Sequence, residues 1–163
     1  MRRSVATFCI LPLALMLVMA VAAPVLAQGV APSSSALSIP QAQLIQPEDL
    51  VRILKSNQKE KPLLLHVGSR VMFSQVHIPG SEYAGPGSTQ AGIQSLEDTV
   101  AALPKNRHII LYCGCCPWNR CPNIGQAYNR LHDLGFTSVK VLYLANNFGD
   151  DWVNKGYPAL KGK

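Results

Sequence analysis

Three short apolar runs, Leu63-Leu64-Leu65-His66-Val67, His108-Ile109-Ile110-Leu111-Tyr112 and Val139 to Leu144, are continuous rather than alternating, and helical patterns separate them. A run this short and unbroken suits a strand buried on both faces. Between the second pair of runs Ile124, Ala127, Tyr128, Leu131 and Leu134 recur at helical spacing, as Leu96, Thr99, Val100 and Leu103 do between the first pair. Strand, helix, strand, helix, strand with short joints requires parallel strands, because each crossover must carry the chain back across the sheet. The expected fold is therefore a small parallel α/β sheet flanked by helices on both faces.

The flanking segments set the boundaries. Pro47-Glu48-Asp49 places a proline and two acids in a first helical turn, with Leu50, Ile53 and Leu54 on one face, so a helix is expected to about Ser56. Gly68 stops the first run, Ile78-Pro79-Gly80-Ser81 is turn chemistry, and Tyr83 to Ser88 reads as a loop with at most a brief strand. Ser95 is the candidate cap of the helix that closes at Pro104, and Gly135 stands where a left-handed C-terminal residue is needed. At the N-terminus Met1-Arg2-Arg3 precedes an apolar block from about Phe8 to Leu26, the pattern of a signal peptide over 1–27 cleaved after Ala27. An uncleaved membrane anchor is the competing reading. Residues 28–45 are rich in Pro, Ser, Ala and Gln without periodicity and read as a flexible linker, which leaves a domain over 46–163. These features point to an exported protein, periplasmic or secreted, a monomer with no membrane contact after cleavage. Fifteen basic against nine acidic side chains, net +6 and spread along the chain, indicate solubility rather than a nucleic-acid surface.

Four of the five cysteines, Cys113, Cys115, Cys116 and Cys121, fall in one loop directly after the second run and directly before a helix. The fifth, Cys9, leaves with the signal. Disulfides within so short a loop would close tiny rings and add little stability, so the cluster is better explained by chemistry. Sites in parallel sheets lie beyond the carboxyl ends of the strands, and a helix N-terminus there stabilises a thiolate or a bound anion. Cys113, held by the strand, is the candidate nucleophile, and Cys115, Cys116 and Cys121 are candidate resolving thiols. The amides of Gly114 to Trp118, together with Asn119, Arg120 and the helix start near Asn123, form the candidate anion site. Two other readings stand beside this one. The first is a disulfide from Cys115 or Cys116 to Cys121. The second is a metal held by Cys113, Cys115, Cys116 and Cys121, for which copper(I) suits one loop better than zinc, whose sites draw ligand pairs from two turns. No organic cofactor is required. Among other residues, His77 reads as a structural hydrogen-bonding group, His66 as a satisfied core or rim residue, Trp152 and Tyr128 as packing, and Trp118 as a pocket wall, a docking surface or packing.

Taken in order, His77-Ile78-Pro79-Gly80, Leu111-Tyr112-Cys113, Leu134-Gly135-Phe136, then Val141-Leu142-Tyr143-Leu144 followed by Trp152, Gly156 and Pro158, resemble the single-domain rhodanese-like sulfurtransferases. The resemblance spans roughly Gln46 to Pro158. It implies a rhodanese-like fold in which Cys113 carries sulfur as a persulfide and the following loop surrounds a bound anion. The implied activity is transfer of sulfane sulfur from thiosulfate or a persulfide to a thiophilic acceptor. Two departures stand out. The family's aspartate and arginine at the end of the first strand are replaced by His66-Val67-Gly68, with Arg70 as a candidate substitute, and the loop after Cys113 is longer and carries three extra cysteines. The alternatives are a thiol-disulfide or oxyanion-handling redox protein, and a non-catalytic module that binds copper or docks on a secreted or periplasmic partner protein.

Overall fold

A computed structural model of the chain describes residues 39–162. Five strands, β1 (Leu44–Ile45), β2 (Leu63–His66), β3 (Glu82–Tyr83), β4 (Ile109–Tyr112) and β5 (Val139–Leu142), form one sheet in the order β1-β5-β4-β2-β3, every neighbouring pair parallel. The helices are α1 (Pro47–Lys55), α2 (Arg70–Gln75), α3 (Gln90–Val100) and α4 (Ile124–Asp133). Among the described residues no helix is long and apolar enough to cross a membrane.

The continuous apolar runs are strands covered on both sides, as expected. Leu65, Ile109, Leu111, Val139 and Val141 point to one face and pack under Leu96, Val100, Ala127 and Leu131 of α3 and α4. Leu64, Ile110, Tyr112 and Leu142 point to the other, under Leu50 and Val51 of α1 and the fully buried Trp152. Side chains this deeply buried each contribute roughly 1.5–3 kcal/mol by leaving water. Helix α4 ends as Gly135 requires: at φ 85° it donates to His132 O at 2.9 Å, and Phe136 N donates to Leu131 O at 3.0 Å, the paired bonds of a left-handed helix end.

Three boundaries differ from the sequence reading. Residues 39–45 belong to the folded body and not to the linker, since Ile39 is buried and β1 pairs with β5 at the sheet edge. Two residues of strand leave no periodicity to read. Helix α3 starts at Gln90, capped by Thr89 Oγ1, which accepts from Gly92 N at 3.0 Å, so Ser95 lies inside it. The apolar spacing misplaced this start because the first turn is polar or small. Helix α2, absent from the sequence reading, is a short element whose N-terminus is closed by Ser69 Oγ accepting from Met72 N at 3.3 Å. The expected signal peptide over 1–27 and the linker over 28–38 lie outside the described residues.

Candidate active site

Strand β4 sits between β2 and β5, and side chains at its exit alternate faces. Tyr112 turns toward α1. Its hydroxyl accepts from Ile78 N at 3.2 Å and shares a hydrogen bond with Ser81 Oγ at 2.7 Å, which pins the His77–Ser81 turn. Cys113 turns toward α3 and α4 and is 2 % exposed. Gly114 then bends the chain at φ 72°, where a Cβ would stand 2.5 Å from Phe148 Cβ. The loop descends through a tight turn at Trp118–Arg120, anchored by Trp118 N donating to Ala145 O at 3.1 Å, and returns to the core at Cys121.

Asn123 precedes α4 but does not cap it with its side chain. Instead Oδ1 accepts from Ser88 N at 3.1 Å, and Nδ2 points at two sulfurs, 3.4 Å from Cys113 Sγ and 3.6 Å from Cys115 Sγ. The four cysteines are free thiols. Cys115 Sγ lies 3.0 Å from Cys116 Sγ and 3.9 Å from Cys121 Sγ, and the sulfurs of Cys113, Cys115 and Cys121 all lie within 4.8 Å of one another. Charge in such a cluster settles where most donors converge. The thiols of Cys113, Cys121 and Cys116 and the Asn123 amide together hold Cys115 far below the ordinary thiol range. Donation toward Cys115 and Cys121, with burial, pushes Cys113 up.

Above the cluster opens a cavity of about 450 Å³, whose walls include His66, Met72, Cys113, Cys115, Cys116 and Phe148. Among the described residues no lysine or arginine lines it. Arg120 and Asn119 are exposed on the tight turn and are not among its walls, so the structure does not gather them with Cys113. The Trp118, Arg120 and Cys121 amides are committed to the carbonyls of Ala145, Pro117 and Trp118. Trp118 is half-buried, its ring 5.1 Å from that of Tyr143, and it borders a minor void beside Cys113 and Cys121. Gly114 and Asn123 are the expected anion-site residues that remain against Cys113.

Two residues that sequence reasoning passed over complete the site. His66 ends β2 directly across from Tyr112, is 2 % exposed, and leaves Nδ1 without a hydrogen-bond partner. Burial pushes its pKa down to about 4, against the hydrogen bond to the Cys113 backbone, so a neutral imidazole borders the cavity. It is therefore not the satisfied residue the sequence suggested. Gly68 supplies the room: a Cβ there would stand 2.9 Å from both Cys113 Sγ and His66 Cε1. The available signal was their place at the end of the strand next to β4, where both short runs exit on one edge. Arg70 does not rebuild a buried charge pair; it is exposed, with its guanidinium 4.0 Å over the Tyr83 ring. His77 is structural, its Nδ1 2.9 Å from Phe73 O and its ring stacked on Phe73.

The sequence profile of the rhodanese-like domain matches residues 46–145. The chain belongs to the rhodanese-like domain family. No curated protein matches it. Among solved structures, a rhodanese-like domain from Anabaena is 22 % identical with a TM-score of 0.56, covering 73 % of this chain and 79 % of that one. The BH2092 protein from Bacillus halodurans is 24 % identical with a TM-score of 0.56, covering 72 % and 75 %. A thiosulfate sulfurtransferase from Pseudomonas aeruginosa is 22 % identical with a TM-score of 0.53, covering 73 % of this chain but only 20 % of that enzyme. At these identities the likeness is one of fold. The rhodanese-like sheet, with Cys113 where its central strand ends, agrees with the sequence reading.

Proposed function

We propose that this rhodanese-like domain transfers sulfane sulfur through Cys113, with a persulfide rather than thiosulfate as the preferred donor. The carrying observation is the placement of Cys113 at the tip of the central parallel strand, against a cavity whose described walls hold no lysine or arginine. A dianion entering that cavity loses hydration and gains no ion pair, which is costly, whereas the persulfide group that must enter carries at most one charge. The Cys113 thiol loses its proton toward the Cys115 sulfur as it attacks. The Cys113 thiolate then attacks the outer sulfur of R–S–SH; a new S–S bond forms at Cys113, the old one breaks, and RS⁻ leaves. An acceptor thiolate reverses the step, taking the outer sulfur and restoring the Cys113 thiolate. Asn123 Nδ2, 3.4 Å from Cys113 Sγ, donates to whichever sulfur anion stands there. The basic and apolar N-terminus supports export as the setting.

The mutual approach of the Cys113, Cys115 and Cys121 sulfurs, within 4.8 Å of one another, favours one second reading, a thiol-disulfide cycle. In it the Cys115 thiolate attacks Cys113 Sγ of the persulfide, hydrosulfide leaves and a disulfide forms, which an external dithiol reduces, itself becoming a disulfide. The test is to incubate reduced protein with a low-molecular-weight persulfide or with thiosulfate, using cyanide as acceptor. The expected result is faster thiocyanate production from the persulfide, and a peptide bearing Cys113 heavier by one sulfur. Absence of that adduct with both donors overturns the proposal.

A further inference from the structure

We propose that Cys113, Cys115 and Cys121 form a three-coordinate thiolate site for copper(I). Their sulfurs are mutually within 4.8 Å, and Cys115 and Cys121 stand 3.9 Å apart. Metal–sulfur bonds of about 2.3 Å put trigonal ligands about 4.0 Å apart, so the cluster needs less than about 1 Å of closure. The donor set is soft throughout, with no carboxylate in it, which selects thiophilic ions over hard ones. Zinc completes four ligands. The remaining cysteine does not serve, because Cys116 touches Cys115 at 3.0 Å yet falls outside the mutually close set. Three sulfurs without a fourth ligand suit a monovalent d10 ion.

The surroundings fit a cation. Among the described residues no lysine or arginine lines the cavity, which also gives the ion a route to the Cys113 and Cys115 sulfurs. Asn123 Nδ2 reaches two of the three sulfurs, at 3.4 Å and 3.6 Å, and the Ser88 amide fixes its orientation through Oδ1 at 3.1 Å. That is the outer-shell donor pattern by which proteins orient ligands and spread their charge. Binding displaces to solvent the protons that the three sulfurs still carry, with no change in oxidation state. Copper loading and sulfur transfer are alternative states of one loop, since both require Cys113 Sγ.

The test is an anaerobic titration of the reduced full chain with copper(I) against a chromophoric copper(I) chelator. We expect one ion withdrawn per chain, with X-ray absorption showing three sulfurs near about 2.3 Å. Cys115→Ser and Cys121→Ser should each weaken binding by more than about 100-fold, beyond the effect of losing an outer-shell partner. Cys116→Ser should leave affinity unchanged. Failure to take copper from the chelator, nitrogen or oxygen ligands in the absorption spectrum, retention of zinc in preference to copper, or equal damage from Cys116→Ser overturns the site. The absorption measurement on the unsubstituted chain decides the question even if a variant fails to fold. It is also independent of any sulfur-transfer assay.

Discussion

The His77–Ser81 turn and the Cys113–Asn123 loop both hang on the end of β4, through Tyr112 and Cys113, and they use it in opposite ways. In the turn every principal polar group is matched to a strong partner: His77 Nδ1 to Phe73 O, Ile78 N to the Tyr112 hydroxyl, Ser81 Oγ to Ile78 O. In the loop the sulfurs face one another and a single amide, at 3.0–3.9 Å. Sulfur donates and accepts weakly, so such a cluster is poor glue and good chemistry. The contrast teaches that the most recognisable motif, His-Ile-Pro-Gly, is scaffold, while the proposed sulfur chemistry rests on the unusual cysteines.

That contrast can be broken by measurement. Cys113→Ser should reduce sulfur transfer by at least about 10³-fold, the scale of losing a covalent nucleophile, while far-UV circular dichroism still reports the fold. Retained turnover would move the nucleophile elsewhere in the loop. Gly114→Ala meets both a positive φ and the Phe148 backbone amide at 2.8 Å, and should lower unfolding free energy by about 2–4 kcal/mol in chemical denaturation. Tyr112→Phe should cost about 1–3 kcal/mol, because the buried Ile78 N–H loses its partner. Its rate per folded molecule should stay within a factor of a few, and a large loss would join the turn to the chemistry. Gly68→Ala should act the other way, shifting Cys113 and His66 to lower turnover with a stability loss of about 1–2 kcal/mol.

The smallest effect lies far from both regions. Glu48 is held below the ordinary carboxylate range by its own backbone amide first and by the Tyr157 hydroxyl second. A depressed carboxylate contributes stability above its unfolded pKa and loses it as pH falls through the folded value. Tyr157→Phe should therefore lower the melting temperature slightly at pH 7, and the difference should shrink as pH falls below the ordinary glutamate range and vanish below Glu48's lowered folded value. A difference that persists in acid would assign the effect to packing of Tyr157 on Trp152.

Periodicity and chain order determined the parallel sheet, its two helical layers, the Gly135 stop and Cys113 at a strand exit. Each rests on local spacing or on a crossover rule that holds whatever the side chains beyond it do. Elements too short for a period, β1 and α2, were illegible for the same reason. Only the tertiary structure decided which residues share the cavity. His66 and Gly68 are far from Cys113 in sequence and meet it because parallel register sets Leu65 beside Leu111 and His66 beside Tyr112. It also drew Cys121 in and left Cys116 outside the close trio, and it put Arg120 on the surface. Those outcomes depend on where the backbone turns at Gly114 and at Trp118–Arg120, and spacing along the chain carries no record of distance across a fold.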